Sequence, residues 1–191
     1  KNKNLIKEIN LNLIGKIQIK NILMAAIAAE KSSLNFEKIF KVLPELKPVE
    51  GRLEKIGTIK NNSIVILDYA HTPDALKFCL LNIREQFPGK KLNLLFGCGG
   101  NRDQNKRMKM GKIASIYADN IYLTDDNPRL ENPVKIRKDI KKGIKVKKIK
   151  EISNRSIAIS EAIKNLKSGD VLVVAGKGHE NIQEIGKKKI K

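Results

Sequence analysis

SIVILDYAHTPDAL occupies residues 63–76. Its first five residues are a short run of mainly β-branched apolar side chains, the pattern of a buried strand. Asp68 ends the run, and His71 and Thr72 fall in the turn that follows. Pro73 then suits the first turn of a helix, where its missing N–H leaves no bond unmade. A helix is predicted over Pro73–Gln86. The same strand, polar turn and helix recur downstream. Strands are expected at Leu92–Phe96, Asn120–Leu123, 147–152 and Val171–Ala175, separated by helices at 106–117, 133–142 and 155–166. This alternation predicts an α/β fold: a doubly wound, mostly parallel sheet with right-handed crossovers. In such sheets ligands bind beyond the carboxyl ends of the strands, where this chain puts its polar and glycine-rich segments.

Upstream the pattern changes. KNILMAAIAAEK at 20–31 reads as a helix, with Ile22, Ala25, Ala26 and Ala29 on one face. A short helix follows near Phe36–Val42. Pro44, Pro48 and Gly51 then break periodicity, so 46–51 reads as a linker. Residues 1–45 are expected to be the tail of a preceding domain, and 52–191 the α/β domain.

Composition narrows the function classes. Of the 191 residues 41% are apolar, and no run reaches the length of a membrane span. The basic N-terminus lacks the apolar core of a signal peptide. Two separated cysteines make neither a disulfide framework nor a zinc site, and a reducing cytoplasm fits them. A net charge of +19 invites a nucleic-acid reading. The lysines are dispersed, however, and aromatics are only 4%, so neither a groove-reading element nor a stacking platform is evident. No specific nucleic-acid partner and no membrane is expected.

Four motifs follow the predicted strands. In LDYAHTPDAL, the Asp68 carboxylate can accept ribose hydroxyls and His71, beside a helix start, can face a phosphate; a plain capping turn explains the same residues. In FGCGGNRDQNKR at 96–107, glycines let backbone approach a charged ligand, and Arg102 offers a planar fork to a carboxylate. Its spacing fits neither the dinucleotide fingerprint nor a Walker A loop. In TDDNPR at 124–129, Asp125 and Asp126 supply carboxylates, Asn127 an amide, Pro128 stiffness and Arg129 a guanidinium. Together they could hold an amino acid by its carboxylate and ammonium; a capping turn before Pro133 is the structural alternative. In AGKGHE at 175–180, Gly176 opens the backbone and Glu180 can accept from an ammonium.

In this order, with GRLEKIG at 51–57, the motifs resemble the Mur ligase family, and among its members those that add diaminopimelate. The resemblance runs from Leu11 to Gly186. It implies a Rossmann-like carboxy-terminal domain and an ATP-dependent amide ligation through an acyl phosphate, with Mg2+ screening the phosphates. The reaction implied adds meso-diaminopimelate to UDP-N-acetylmuramoyl-L-alanyl-D-glutamate in peptidoglycan synthesis. By the same resemblance Arg102, Asp126, Asn127, Pro128, Arg129, Gly176 and Glu180 bind diaminopimelate, whereas Asn21, Arg52, Asp68 and His71 contact the nucleotide. Arginines on the carboxylates and Glu180 on the distal ammonium would select against lysine, which would leave an arginine unpaired.

The chain departs from the family at three points. No G-K-[ST] loop occurs in it, Gln18 stands where the family has asparagine, and it ends at KKKIK before a usual last helix. It therefore reads as a fragment, inactive alone, that lacks the amino-terminal and central domains and holds no catalytic or metal-binding residue of its own. The competing readings are a non-catalytic basic module for polyanions, a related ligase for another amino acid, and folylpolyglutamate synthesis; the DNPR sequence argues against the last two.

Overall fold

The computed structural model describes residues 8–59, 62–145 and 149–191. The repeated units form a six-stranded sheet from β1 (Glu54–Thr58), β2 (Ile64–Asp68), β3 (Leu92–Phe96), β4 (Asn120–Leu123), β5 (Ile149–Glu151) and β6 (Val171–Ala175). The strand order is β1-β2-β6-β3-β4-β5. Every pairing is parallel except that of β1 with β2. The expected mostly parallel sheet is thus present.

The helices are α3 (Pro73–Gln86), α4 (Asn105–Tyr117), α5 (Pro133–Lys141) and α6 (Arg155–Lys164). Leu80, Met110 and Ile140 of the first three join Ile66, Leu94, Phe96, Leu123 and Val173 in one core. Ala158 and Ala162 of α6 meet Leu95, Tyr122, Leu172 and Val174 on the opposite face. Successive strand residues point to opposite faces, so both sides of β3 and β6 are covered. That is why these strands read as unbroken apolar runs. Three of these four helices start on side-chain caps: Thr72 accepts from the Ala75 N–H (3.3 Å), Asn132 from Val134 (2.9 Å) and Asn154 from Ile157 (3.0 Å).

Two helices precede the sheet, α1 (Lys16–Lys31) and α2 (Phe36–Val42), followed by a 3-10 turn at Leu43–Glu45. α1 begins four residues ahead of the expected 20–31, because Gly15 precedes it (φ 90) and offers no side-chain capping signal. β1 was not anticipated; its exposed face and Gly57 hide it. The same holds for a hairpin of β7 (Gln183–Ile185) and β8 (Lys188–Ile190), in which only Ile185 and Ile190 are apolar. Of the strand expected over 147–152, residues 147 and 148 lie outside the described residues, and β5 occupies 149–151.

Candidate functional site

The strand order decides the site. β6 comes last of the parallel strands in sequence but lies between β2 and β3. Asp68 pairs with Ala175, and Phe96 with Leu123, so the ends of β2, β6, β3 and β4 are neighbours. The four motifs leaving those ends converge on one cleft of about 490 Å3, lined among others by Arg102, Asp126, Asn127, Arg129, Gly176 and Glu180. Of the seven residues expected to bind an amino acid, only Pro128 does not line it. His71 and Lys106 line the same cleft, and the Lys106 ammonium donates to the His71 carbonyl at 2.8 Å.

Close approach of two loops explains two glycines. A Cβ at Gly97 would run into the Thr124 carbonyl, and one at Gly100 into the Pro128 carbonyl. The glycine-rich loop therefore lies directly on the 124–129 turn, with the Gly100 N–H donating to the Asn127 carbonyl at 2.9 Å.

The two adjacent carboxylates of that turn part company. Asp125 pairs with Arg137 of α5 and does not line the cleft. Burial raises its pKa, opposed by the hydrogen bond and charge of Arg137. Of the two carboxylates that the motif offered, only Asp126 therefore faces the cleft. Asp126 is buried and accepts from the Asn127 N–H at 2.6 Å. Its Oδ2 lies where a side chain at residue 176 would reach, and Gly176 at φ 108 leaves that space open.

Asn127 is bonded at both ends of its amide. Its Oδ1 accepts from Lys177 Nζ (2.9 Å) and from the Glu184 N–H (3.0 Å), and its Nδ2 donates to Glu180 Oε2 (3.3 Å). Lys177 also donates to Glu180 at 3.1 Å, and the Tyr69 hydroxyl donates to the other Glu180 oxygen at 3.2 Å. Burial works to raise the Glu180 pKa, but Lys177, Asn127 and Tyr69 together hold it below the ordinary carboxylate value. Glu180 is therefore an oriented anion at neutral pH. Tyr69 moves upward, through burial first and then the charge of Glu180. Below, Arg155 is buried with Nη2 on the Ala175 carbonyl at 2.9 Å, and its Nη1 has no hydrogen-bond partner among the described residues.

The two arginines differ. Arg102 is exposed and makes no hydrogen bond or ion pair among the described residues. Arg129 sits in the left-handed region (φ 51) and pairs through Nε with Glu184 Oε2 at 2.7 Å. Its Nη1 donates to the Gly100 carbonyl at 3.0 Å.

The residues expected to contact a nucleotide are not gathered in the cleft. Of the four, only His71 lines it. Its Nδ1–H donates to the Tyr69 carbonyl at 2.9 Å, which leaves Nε2 as the free ring nitrogen. Arg52 stacks on the Tyr69 ring, 4.6 Å from its centroid. Asn21 lies on α1 beside Gln18, in a groove between the first two helices. The Asp68 carboxylate accepts from the Leu53 and Ala70 N–H groups, each at 2.8 Å, and thereby ties the start of β1 to the end of β2. Burial raises its pKa against those bonds. Among the described residues no group of three or more His, Cys, Asp or Glu is placed to hold a metal ion.

Lys177, Tyr69 and Glu184 were missed in the sequence. Nothing local marks them: a lysine between two glycines reads as an exposed turn residue, and Glu184 lies in a segment without periodicity.

Known proteins resemble this chain in sequence and fold. The profile of the family described as Mur ligase, glutamate ligase domain, matches residues 51–178. The chain belongs to the Mur ligase family. Among curated Mur ligases it is 47% identical over 182 residues to the UDP-N-acetylmuramoyl-L-alanyl-D-glutamate–2,6-diaminopimelate ligase of Rickettsia felis, covering 95% of this chain and 34% of that protein. It is 42% identical to the enzyme of the same name from Bacillus velezensis, over 94% of this chain and 36% of that one. A solved structure of a ligase of that name superposes with a TM-score of 0.72 at 37% identity, covering 95% of this chain and 37% of the other. A folylpolyglutamate synthase from Thermotoga maritima shares the fold, with a TM-score of 0.69 at 24% identity. The chain spans about a third of the length of the curated Mur ligases it matches.

Proposed function

We propose that the cleft binds meso-diaminopimelate for ATP-dependent amide ligation to UDP-N-acetylmuramoyl-L-alanyl-D-glutamate in peptidoglycan synthesis. The observation that carries this reading is the convergence of Arg102, Arg129 and an oriented Glu180 anion on one cleft. A ligand with two carboxylates and two ammonium groups matches that set of charges. Arg102, without a partner among the described residues, takes one carboxylate and Arg129 the other; Glu180 takes the distal ammonium. Asn127 and Lys177 hold Glu180 in place, so the ligand meets a fixed anion. The remaining amine stays free to attack the acyl phosphate formed on the nucleotide-linked carboxylate. The chain's residues thus bind and orient the amine donor.

ATP is the proposed energy source, with His71 in the cleft, Arg52 stacked on Tyr69 and Asn21 on α1 as its neighbours. Asp68 has both oxygens engaged, so a ribose would share it with the Leu53 and Ala70 amides. Mg2+ would arrive with the phosphates, and no step is assigned to a metal on this chain's residues. We also propose that 52–191 is the amino-acid-binding unit, that 46–51 links it to 1–45, and that the latter belongs to a nucleotide-binding portion. No helix among the described residues is long and apolar enough to cross a membrane. Cys79 and Cys98 are free and buried, with the Cys98 thiol pushed up to about 12 mainly by burial, which suits a cytoplasmic setting.

Titration calorimetry tests the assignment. Meso-diaminopimelate should bind at least about tenfold more tightly than L-lysine, the weight of one hydrogen bond to a charged group. Arg129→Ala should erase that preference. Equal affinity for the two amino acids in the parent chain refutes the reading. Because no G-K-[ST] loop occurs in the 191 residues, this chain alone should release no phosphate from ATP; turnover above background would contradict the division of labour proposed here.

A further inference from the structure

The β7–β8 hairpin docks on the 125–129 turn through its backbone. The Arg129 N–H donates to the Glu184 carbonyl at 3.0 Å, the Gly186 N–H to the Arg129 carbonyl at 2.8 Å, and the Glu184 N–H to Asn127 Oδ1 at 3.0 Å. This docking delivers the Glu184 carboxylate to Arg129 Nε at 2.7 Å. Nη1 is taken by the Gly100 carbonyl at 3.0 Å and, more loosely, by that of Asn127 at 3.5 Å. Nη2 alone makes no hydrogen bond among the described residues. Arg129 forms a partition: it lines the main cleft and also a depression of about 290 Å3 that Glu184 and Lys189 border.

The Arg129 and Glu184 side chains remain 24% and 34% exposed, so their pairing contributes little to stability. Its consequence is orientation. A guanidinium has five N–H donors in one plane; once Nε and Nη1 are held, the plane is set and a single nitrogen is left for a ligand. Fixing it beforehand removes part of the ordering cost of binding.

We infer that Glu184 is a positioning residue that sets the cleft's specificity, holding the Arg129 plane so that Nη2 is presented to the second carboxylate of a dicarboxylic diamino acid. This rests on the reading of the cleft as an amino-acid site. Glu184 does not itself touch the ligand. The neutral isostere keeps an acceptor for Nε, so orientation and charge can be separated.

The experiment compares the parent chain with Glu184→Ala and Glu184→Gln. Neither change removes a backbone bond of the hairpin, and amide protection at Gly186 reports that it stays docked. Titration with meso-diaminopimelate and with L-lysine is the first readout. Glu184→Ala should lose about tenfold in diaminopimelate affinity, the weight of one charge-assisted hydrogen bond, with lysine affinity unchanged, and Glu184→Gln should restore most of the loss. The second readout needs no ligand: solvent exchange of the Arg129 Nε–H, identified by its disappearance in Arg129→Lys, should be slow in the parent and in Glu184→Gln, and fast in Glu184→Ala. Diaminopimelate binding by Glu184→Ala equal to or tighter than the parent's overturns the inference, as does unchanged Nε–H exchange. If the parent binds no diaminopimelate, the reading of the cleft falls, while Nε–H exchange still decides whether Glu184 holds the guanidinium.

Discussion

The α1–α2 pair and the parallel sheet are built from similar apolar residues and treat them differently. LNLLF of β3 is buried along its whole length. On α1, Ile19, Leu23, Met24 and Ile27 are all at least half exposed, and neither α1 nor α2 has a buried residue. A strand between two others, with helices above and below, has no free side. A helix packed against one neighbour keeps most of its circumference in solvent. Apolar content alone therefore does not locate this protein's core; the number of elements around a segment does.

Ion pairs draw the contrast most sharply. Arg107 is fully buried in α4 and forks onto Glu131, with both contacts at 2.7 Å, and onto Asp139. Lys16 of α1 meets Glu85 at 3.1 Å with both side chains more than half exposed. Arg107→Ala should cost roughly 3–5 kcal/mol in urea unfolding, since it removes a fully buried side chain and leaves two half-buried carboxylates unpaired, whereas Lys16→Ala should cost about 0–1 kcal/mol. Similar losses at the two sites would break the comparison.

Side-chain truncation gives the next effect. Leu94→Ala, at a fully buried position of β3, should destabilise by roughly 2–5 kcal/mol. Met24→Ala, at a position 70% exposed, should stay within about 0.5 kcal/mol. A larger loss at Met24 would mean that the outer face of α1 is covered in solution, which sedimentation would detect. Gly97→Ala should fall between them, at roughly 1–3 kcal/mol, because the added carbon forces the glycine-rich loop off the Thr124 carbonyl; its diaminopimelate affinity should fall with its stability.

Acid should act on the body with the smallest and most local effect. The Arg107 hydrogen bonds hold Glu131 below the ordinary carboxylate value, and Lys142, then Arg107, do so for Asp139 against burial. Such groups stabilise fully above their unfolded pKa, and the contribution is lost as pH falls through the folded value. Asp68 has the opposite sign: burial raises it, so its contribution is present at low pH and is lost as pH rises through its folded pKa. Carboxyl-carbon NMR should find Asp139 titrating below Asp68, and Glu131 below its own ordinary value. In Arg107→Met, Glu131 should return toward its ordinary value, and the stability gap to the parent should narrow on acidification.

Much of the α/β body was legible because its signals are local. Apolar runs at 92–96 and 171–175 and Pro73 at a helix start act within a few residues. β1 and the β7–β8 hairpin were not legible, since an edge strand with Gly57 and a polar hairpin owe their form to partners far along the chain. The candidate site divides the same way. The residue types suited to an amino acid stand in four short motifs, but nothing in TDDNPR tells that Asp125 turns to Arg137 while Asp126 turns to the cleft.

By itself the sequence determined the succession of strands and helices, the parallel class of the sheet and the family, because each rests on short-range periodicity or contiguous motifs. Only the tertiary structure decided that β6 inserts between β2 and β3. That insertion carries Gly176, Lys177 and Glu180 to Asn127, and lets the hairpin beyond them hold Arg129. Strand order is chosen by which faces the crossover helices can bury, a property of the assembled sheet and not of any one segment.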